Sequence, residues 1–188
     1  MTEITKSIFR EYDIRGIYPI EINEEVIIHI AKAISIRCNN ESVSEICIGR
    51  DGRNSSQSLS DALEKSLSNF GVNVENIGLV TTPLLYFASK KSKSKSGVMI
   101  TGSHNPKNYN GLKLVINDKP VSGNEIYELI NQNLDESIHP GKISRKDIRD
   151  LYIKEVIENI QIKDSKKLKV VIDCGNGAAG CIAPKLFQ

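Results

Sequence analysis

Gly97-Val98-Met99-Ile100-Thr101-Gly102-Ser103-His104-Asn105-Pro106, running on through Tyr109-Asn110-Gly111-Leu112-Lys113-Leu114-Val115, is the stretch around which the chain is organised. Val98-Met99-Ile100 reads as a short buried strand. It stops at Thr-Gly-Ser-His-Asn-Pro, where Gly102 permits a backbone that other residues avoid and Asn105-Pro106 starts a turn and bars helix at Asn105. A second apolar run over 112–116 returns as a strand. A hydroxyl, Ser103, is thereby held at a sheet edge, with the imidazole of His104 beside it and the ammonium of Lys113 ten residues on. A serine so placed suits a nucleophile or a phosphate carrier. It equally suits a turn residue that hydrogen-bonds its own backbone.

Working towards the N-terminus, Thr81-Thr82-Pro83 starts a helix, with Pro83 in the first turn and Leu84, Leu85, Phe87 and Ala88 as its apolar residues. The lysine-rich run 90–96 at its exit reads as a solvated end, since no aromatics interleave with it. Residues 72–80 read as a strand with a break. Leu59, Ala62, Leu63, Leu67 and Phe70 repeat at helical spacing, and Gly71 ends that helix. Ile46-Cys47-Ile48-Gly49 is a short buried strand feeding Arg50-Asp51-Gly52-Arg53-Asn54-Ser55-Ser56, a polar loop with a serine cap and no catalytic assignment. Asn23 caps an earlier helix whose first turn holds Glu24 and Glu25 and whose apolar face is Val26, Ile27, Ile30, Ala31 and Ile34, with His29 off that stripe. Phe9-Arg10-Glu11-Tyr12-Asp13-Ile14-Arg15-Gly16 reads on its own as a loop with surface ion pairs. Alternating strand and helix imply an α/β layered domain: a mixed, largely parallel sheet with helices on both faces. The serine loop then lies at a strand's C-terminal end, where open α/β sheets bind ligands.

Working towards the C-terminus, 121–133 is expected to be helical. Residues 135–146 are polar, and Pro140-Gly141 marks a boundary. Residues 148–160 read as a connecting helix with Leu151, Tyr152, Val156 and Ile160 as its buried positions. Leu168-Lys169-Val170-Val171-Ile172-Asp173-Cys174 reads as a strand, followed by Gly175-Asn176-Gly177-Ala178-Ala179-Gly180, a formal G-x-G-x-x-G. A dinucleotide site would also need a ribose-binding acid about 20 residues further on. The organisation expected is one domain over 1–136, a linker and connecting helix over 137–164, and the truncated start of a second α/β domain over 165–188. Residues beyond about 164 are expected to be mobile or to dock on the first domain.

Of 188 residues, 39% are hydrophobic, enough for a core, and the net charge is only +2, so nothing global argues for nucleic acid. No apolar run has the length of a membrane span and no secretory leader is visible at the N-terminus. Cys38, Cys47, Cys174 and Cys181 form no Cys-x-x-Cys pair, which favours free thiols in a reducing cytoplasm.

Thr-Gly-Ser-His-Asn-Pro followed by Tyr-Asn-Gly-x-Lys closely resembles the active-site loop of the α-D-phosphohexomutases, in the phosphomannomutase/phosphoglucomutase branch. The glucosamine branch usually carries Ala where this chain has Gly102. Tyr12-Asp13-Ile14-Arg15-Gly16 is similar to the family's Tyr-Asp-Ile-Arg-Gly loop, 49–56 to its Gly-Arg-Asp-x-Arg-x-Ser-Ser segment, and 173–180 to the Asp-x-x-Asn-Gly-x-x-Gly turn that opens its second domain. The resemblance covers the whole chain and favours a tight strand-to-helix turn over a dinucleotide site at 175–180.

The resemblance implies reversible transfer of phosphate between the 1- and 6-positions of hexose phosphates, through a phosphoserine at Ser103 and a bound bisphosphate. It implies Lys113 and Arg15 in acid/base work and charge neutralisation, His104 in positioning or proton transfer, and Tyr12, Arg15 and Asn105 in phosphate or substrate binding. A lysine acting as a base needs a lowered pKa, which nearby cations would provide. Mg²⁺ is implied in the intact enzyme, with the Ser103 phosphate as one ligand. The family's Asp-x-Asp-x-Asp loop does not occur in this sequence, nor do the sugar-reading and phosphate-binding loops of its later domains. The 188-residue chain alone is therefore expected to be inactive. A truncated remnant, or a module that binds phosphorylated ligands, is the alternative.

Overall fold

A computed structural model of the chain describes residues 4–134, 139–160 and 169–188. Its elements are β1 (Ile14–Ile17), α1 (Glu24–Asn40), β2 (Glu45–Arg50), α2 (Ser56–Asn69), β3 (Asn73–Leu79), α3 (Thr82–Lys91), β4 (Gly97–Ile100), β5 (Tyr109–Ile116), β6 (Lys119–Val121), α4 (Gly123–Leu129), β7 (Ile143–Arg145), α5 (Arg149–Asn159) and α6 (Ala183–Leu186). The strands form a mixed sheet in the order β1-β5-β4-β2-β3-β7, with β6 beside β5. Pairing is parallel from β4 through β2 and β3 to β7. It turns antiparallel where β5 joins β4 and β1.

Alternation along the strands divides the core between the two faces. Ile46, Ile48, Val98, Ile100, Leu112 and Leu114 enter one cluster, with residues of α1, α2 and α4. Cys47, Met99, Leu84, Leu85 and Ile153 enter the other, with α3 and α5. Each fully buried aliphatic side chain contributes about 1.5–3 kcal/mol relative to exposure. Asn23 caps α1 as expected, accepting from the Val26 amide at 3.0 Å. His29 is exposed, as are the lysines of the 90–95 run. Cys38 and Cys47 are free thiols pushed up to about 12 by burial, so neither is a reactive thiolate.

Several local expectations are corrected. The segment expected as helix from 121 starts at Gly123, because Ser122 and Glu125 form a capping box and Val121 ends β6. The polar stretch around Pro140-Gly141 holds a strand: β7 pairs with β3, and Arg145 grips Glu64 on α2 through both carboxylate oxygens. On and beside α5, Leu151 and Ile160 are 43% and 55% exposed and Ile148 and Ile153 are buried, while Tyr152 and Val156 are half-buried, Tyr152 with its ring against Phe87 of α3, so the expected stripe is only partly the packed one. No strand forms over 169–174, where Val171 is 97% exposed; Leu168 lies outside the described residues. After a short 3-10 turn, Ala178–Cys181, the chain docks through Ile182 and Ala183.

Candidate active site

Three turns meet at the C-terminal end of β4. Ser103 follows β4 with its side chain exposed and its backbone at φ 52°, in the left-handed region that side chains other than glycine rarely enter. Holding such a residue costs about 1–3 kcal/mol, supplied by the surrounding contacts. Its hydroxyl lies 3.4 Å from His104 Nδ1. Its amide donates to Thr101 Oγ1 at 2.9 Å.

The second turn leads into β1. Arg15 stands opposite Gly111 in the register, and Lys113 opposite Met99, so both rise from the face away from Ile14, Leu112 and Leu114. Gly111 is what lets β1 approach: a Cβ there would lie 2.0 Å from the Ile14 carbonyl oxygen. Buried Asp13 collects both cations on Oδ2, accepting from Arg15 Nη2 and, at 3.3 Å, from Lys113 Nζ. Arg15 Nη1 donates to Asn105 Oδ1 at 2.5 Å, which ties β1 to the serine loop. Two cations share one anion, so the cluster keeps a surplus positive charge beside the loop.

The third turn joins β2 to α2. Asp51 accepts from Thr101 Oγ1 at 2.8 Å and from Ser56 Oγ at 2.6 Å. Asn110, fully buried on β5, donates to the hydroxyls of Ser55 and Ser56 at 2.8 and 2.9 Å. Ser55 is the N-cap residue of α2, but its side chain makes no capping bond; it serves Asn110 instead.

The sequence-predicted residues are therefore partly assembled. Ser103 and His104 touch, and Arg15, Asn105 and Lys113 form one chain of contacts through Asp13. Lys113 has a carboxylate as its direct partner, with the Arg15 cation on the same Asp13 oxygen. Tyr12 is 77% exposed, and its phenol is raised above the ordinary value by a hydrogen bond to Glu11 and by that residue's charge. Asp13, Asp51, Arg53 and Asn110 carry contacts that sequence reading did not assign. For Asp51 and Arg53 the available signal was their place in the turn after β2, at a strand's C-terminal end, where α/β sheets build sites; Asp13, just before β1, and Asn110, within β5, gave no such signal.

A cleft of about 580 Å³ opens beside the loop, bounded by Arg53, Thr101, Ser103, Asn105 and Lys107 on one side and by 175–179 on the other. An exposed hydroxyl, an adjacent imidazole and a positively charged cluster suit a phosphate ester: the guanidinium offers bidentate bonds and the hydroxyl an attachment point. A divalent cation does not fit the described residues. No group of three His, Cys, Asp or Glu is poised to hold one there, and Asp13 and Asp51 are already committed.

Among the described residues, no strand forms over 169–174 ahead of the 175–180 turn, which is not the strand-to-helix context of a dinucleotide fingerprint. Among the described residues, no helix is long and apolar enough to cross a membrane.

Residues 6–137 match the family model described as phosphoglucomutase/phosphomannomutase, alpha/beta/alpha domain I. The chain is 41% identical over 184 residues to a Pseudomonas putida protein named phosphomannomutase/phosphoglucomutase, covering 97% of this chain and 39% of that protein. It is 36% identical over 192 residues to a Neisseria gonorrhoeae protein named phosphoglucomutase, covering 100% of this chain and 41% of that protein. A crystal structure of a phosphoglucomutase/phosphomannomutase family protein from Burkholderia thailandensis superposes with a TM-score of 0.85 at 32% identity, covering 98% of this chain and 42% of that one. The chain thus spans about two fifths of the length of these relatives. The serine loop, the sheet that carries it and these matches agree: the chain belongs to the phosphoglucomutase/phosphomannomutase family.

Proposed function

We propose that this chain carries the phosphoserine portion of a phosphohexomutase acting on hexose phosphates in the cytoplasm. The observation that carries the reading is the exposed Ser103 hydroxyl at the end of β4, beside His104 and joined through Asn105 to Arg15. Phosphorylated Ser103 donates its phosphoryl group to a sugar hydroxyl, and the Ser103 oxygen leaves. The resulting bisphosphate turns over and returns its other phosphate to Ser103.

In this proposal the Arg15 guanidinium neutralises phosphate charge, and Lys113 exchanges a proton with the sugar hydroxyl or the leaving oxygen. His104 positions the Ser103 oxygen. Tyr12 and Asn105 line the approach of the phosphosugar. Mg²⁺ is proposed for the intact enzyme, with the Ser103 phosphate as one ligand; among the described residues no further donor set for it is assembled.

Residues 1–136 are proposed as the first domain and 165–188 as the opening of a second, with 137–164 between them, of which β7 packs on the first domain's sheet. Because the sequence holds no Asp-x-Asp-x-Asp loop and no metal site is assembled among the described residues, the 188-residue chain is expected to show negligible mutase turnover.

The test is the intact mass and phosphosite of the protein isolated from the cells that make it. One phosphate on Ser103, absent from Ser103→Ala, supports the reading. An unphosphorylated 20.9 kDa species would overturn it and leave a remnant or a phospholigand-binding module.

A further inference from the structure

Arg53 borders the cleft, yet its guanidinium is spent on main chain. Nη1 donates to the carbonyls of Pro106 at 2.6 Å and Tyr109 at 3.0 Å. Nη2 donates to the carbonyls of Ser103 at 2.9 Å and Asn105 at 2.7 Å. Nε lies 3.3 Å from Asp51 Oδ2. Each Nη carries two hydrogens, so the four carbonyls engage both Nη groups fully, and Nε faces Asp51 as an ion pair.

Asp51 holds the other end of the same loop. It accepts from Thr101 Oγ1 at 2.8 Å and from the Gly102 amide at 3.3 Å, while Thr101 Oγ1 accepts from the Ser103 amide. The Ser103 amide is thus fixed through Asp51 and its carbonyl through Arg53, on either side of the left-handed φ of 52°. Gly102 fits the same picture: a Cβ there would lie 2.5 Å from Arg53 Cζ and Nε and 2.7 Å from the Tyr109 carbonyl oxygen.

We propose that Arg53, oriented by Asp51, is a positioning residue for Ser103. It gathers the carbonyls of Ser103, Asn105, Pro106 and Tyr109 onto one guanidinium and so sets the direction in which the Ser103 hydroxyl leaves the loop. The functional value of that direction rests on the phosphoserine reading above. A lysine cannot replace it, because a single ammonium with three donors does not span carbonyls spread around a planar fork.

The test uses the full chain, with amide hydrogen exchange and backbone chemical shifts read residue by residue. In Arg53→Lys, amide exchange at Ser103, Asn105 and Tyr109 is expected to rise roughly tenfold or more, and the Ser103 shifts to leave their left-handed values, while Val98 and Leu114 stay unchanged. Millimolar guanidinium added to Arg53→Ala is expected to restore the loop signals, and ammonium is not; a residue that merely filled space would show no such selectivity. Unchanged loop signals in Arg53→Lys would overturn the proposal. If Arg53→Ala unfolds, Arg53→Lys and Asp51→Asn decide: loosening confined to 101–109 is the expected result and an unaltered loop the contrary one. The two readings fail separately. A loosened loop in the variant, with no phosphate on Ser103 of the unaltered protein, refutes the phosphoserine and leaves the clamp. An unaltered loop with phosphate present does the reverse.

Discussion

Val98-Met99-Ile100 running into Thr-Gly-Ser and Val170-Val171-Ile172 running into Asp-Cys-Gly are the same kind of sequence, three apolar residues before a glycine-bearing turn. In the structure they end in opposite states. β4 lies between β2 and β5, and its three apolar residues are at most 1% exposed. Val170, Val171 and Ile172 are 60%, 97% and 44% exposed and form no strand. Ile143-Ser144-Arg145 makes the converse case. It is polar and exposed, yet it is a strand, because the open edge of β3 pairs its main chain and Glu64 receives its arginine. An apolar run supplies side chains to bury; hydrogen-bonding neighbours decide whether it becomes a strand.

The largest expected difference is between the two apolar runs themselves. Ile100→Ala should cost about 2–5 kcal/mol, and Val171→Ala less than about 0.5 kcal/mol, read from urea midpoints. Equal losses would break the comparison.

Glu64→Ala leaves the exposed Arg145 guanidinium to water and strands the buried Asn76 amide, which donates to Glu64 at 2.7 Å. A loss of about 1–3 kcal/mol is expected, with exchange at the Ser144 amide rising first. Unchanged exchange there would mean that the ladder with β3 suffices to hold β7.

Ile182→Ala should cost about 1–2 kcal/mol and loosen only 169–188, since Ile182 is 7% exposed and anchors that stretch on the second core. Loss of protection in β4 as well would show that the two regions fold as one unit.

The smallest effect concerns the turn before α5. The Arg149 side chain and amide hold the Asp147 carboxyl down at about 2. A depressed carboxyl stabilises above its ordinary range and loses that contribution as pH falls through about 2. Both side chains are largely exposed, so Asp147→Asn should change stability by less than about 0.5 kcal/mol at neutral pH. A larger shift, or a midpoint for α5 signals near pH 4, would show that the pair is stronger or weaker than its exposure implies.

The strands and helices from α1 to β5 were legible because their apolar spacing repeats, and their turns carry residues with one dominant use, such as the cap Asn23 and the helix-ending Gly71; β1 was not, since Ile14–Ile17 sits in a mixed-charge stretch that reads as a loop until β5 pairs with it. Ser103, His104, Arg15 and Lys113 were named through motif resemblance, and the structure places Ser103 beside His104 and Arg15 and Lys113 on Asp13. Their supports were not legible. Asp13 looked like one charge in a mixed-charge loop, and only the β1–β5 register brings it under Lys113. Arg53 looked like a surface residue in a polar turn; its partners are carbonyls fifty or more residues away, which no side-chain pattern encodes. The expected stripe on α5 held only in part: Tyr152 packs edge-on against Phe87 of α3, but Leu151 and Ile160 face outward and the buried residue is Ile153, and spacing alone does not say which.

The sequence by itself determined the α/β class, the alternation that gives the sheet two buried faces, and the identity of the loop that carries Ser103. These follow from local chemistry: apolar period, capping groups and the conformations open to glycine and proline. Tertiary structure decided which apolar runs became strands, which carboxylate received Arg15 and Lys113, and which guanidinium gathered the serine loop. Those outcomes depend on backbone donors and acceptors from distant segments meeting at one sheet, because a buried polar group is stable only beside a partner that the fold delivers.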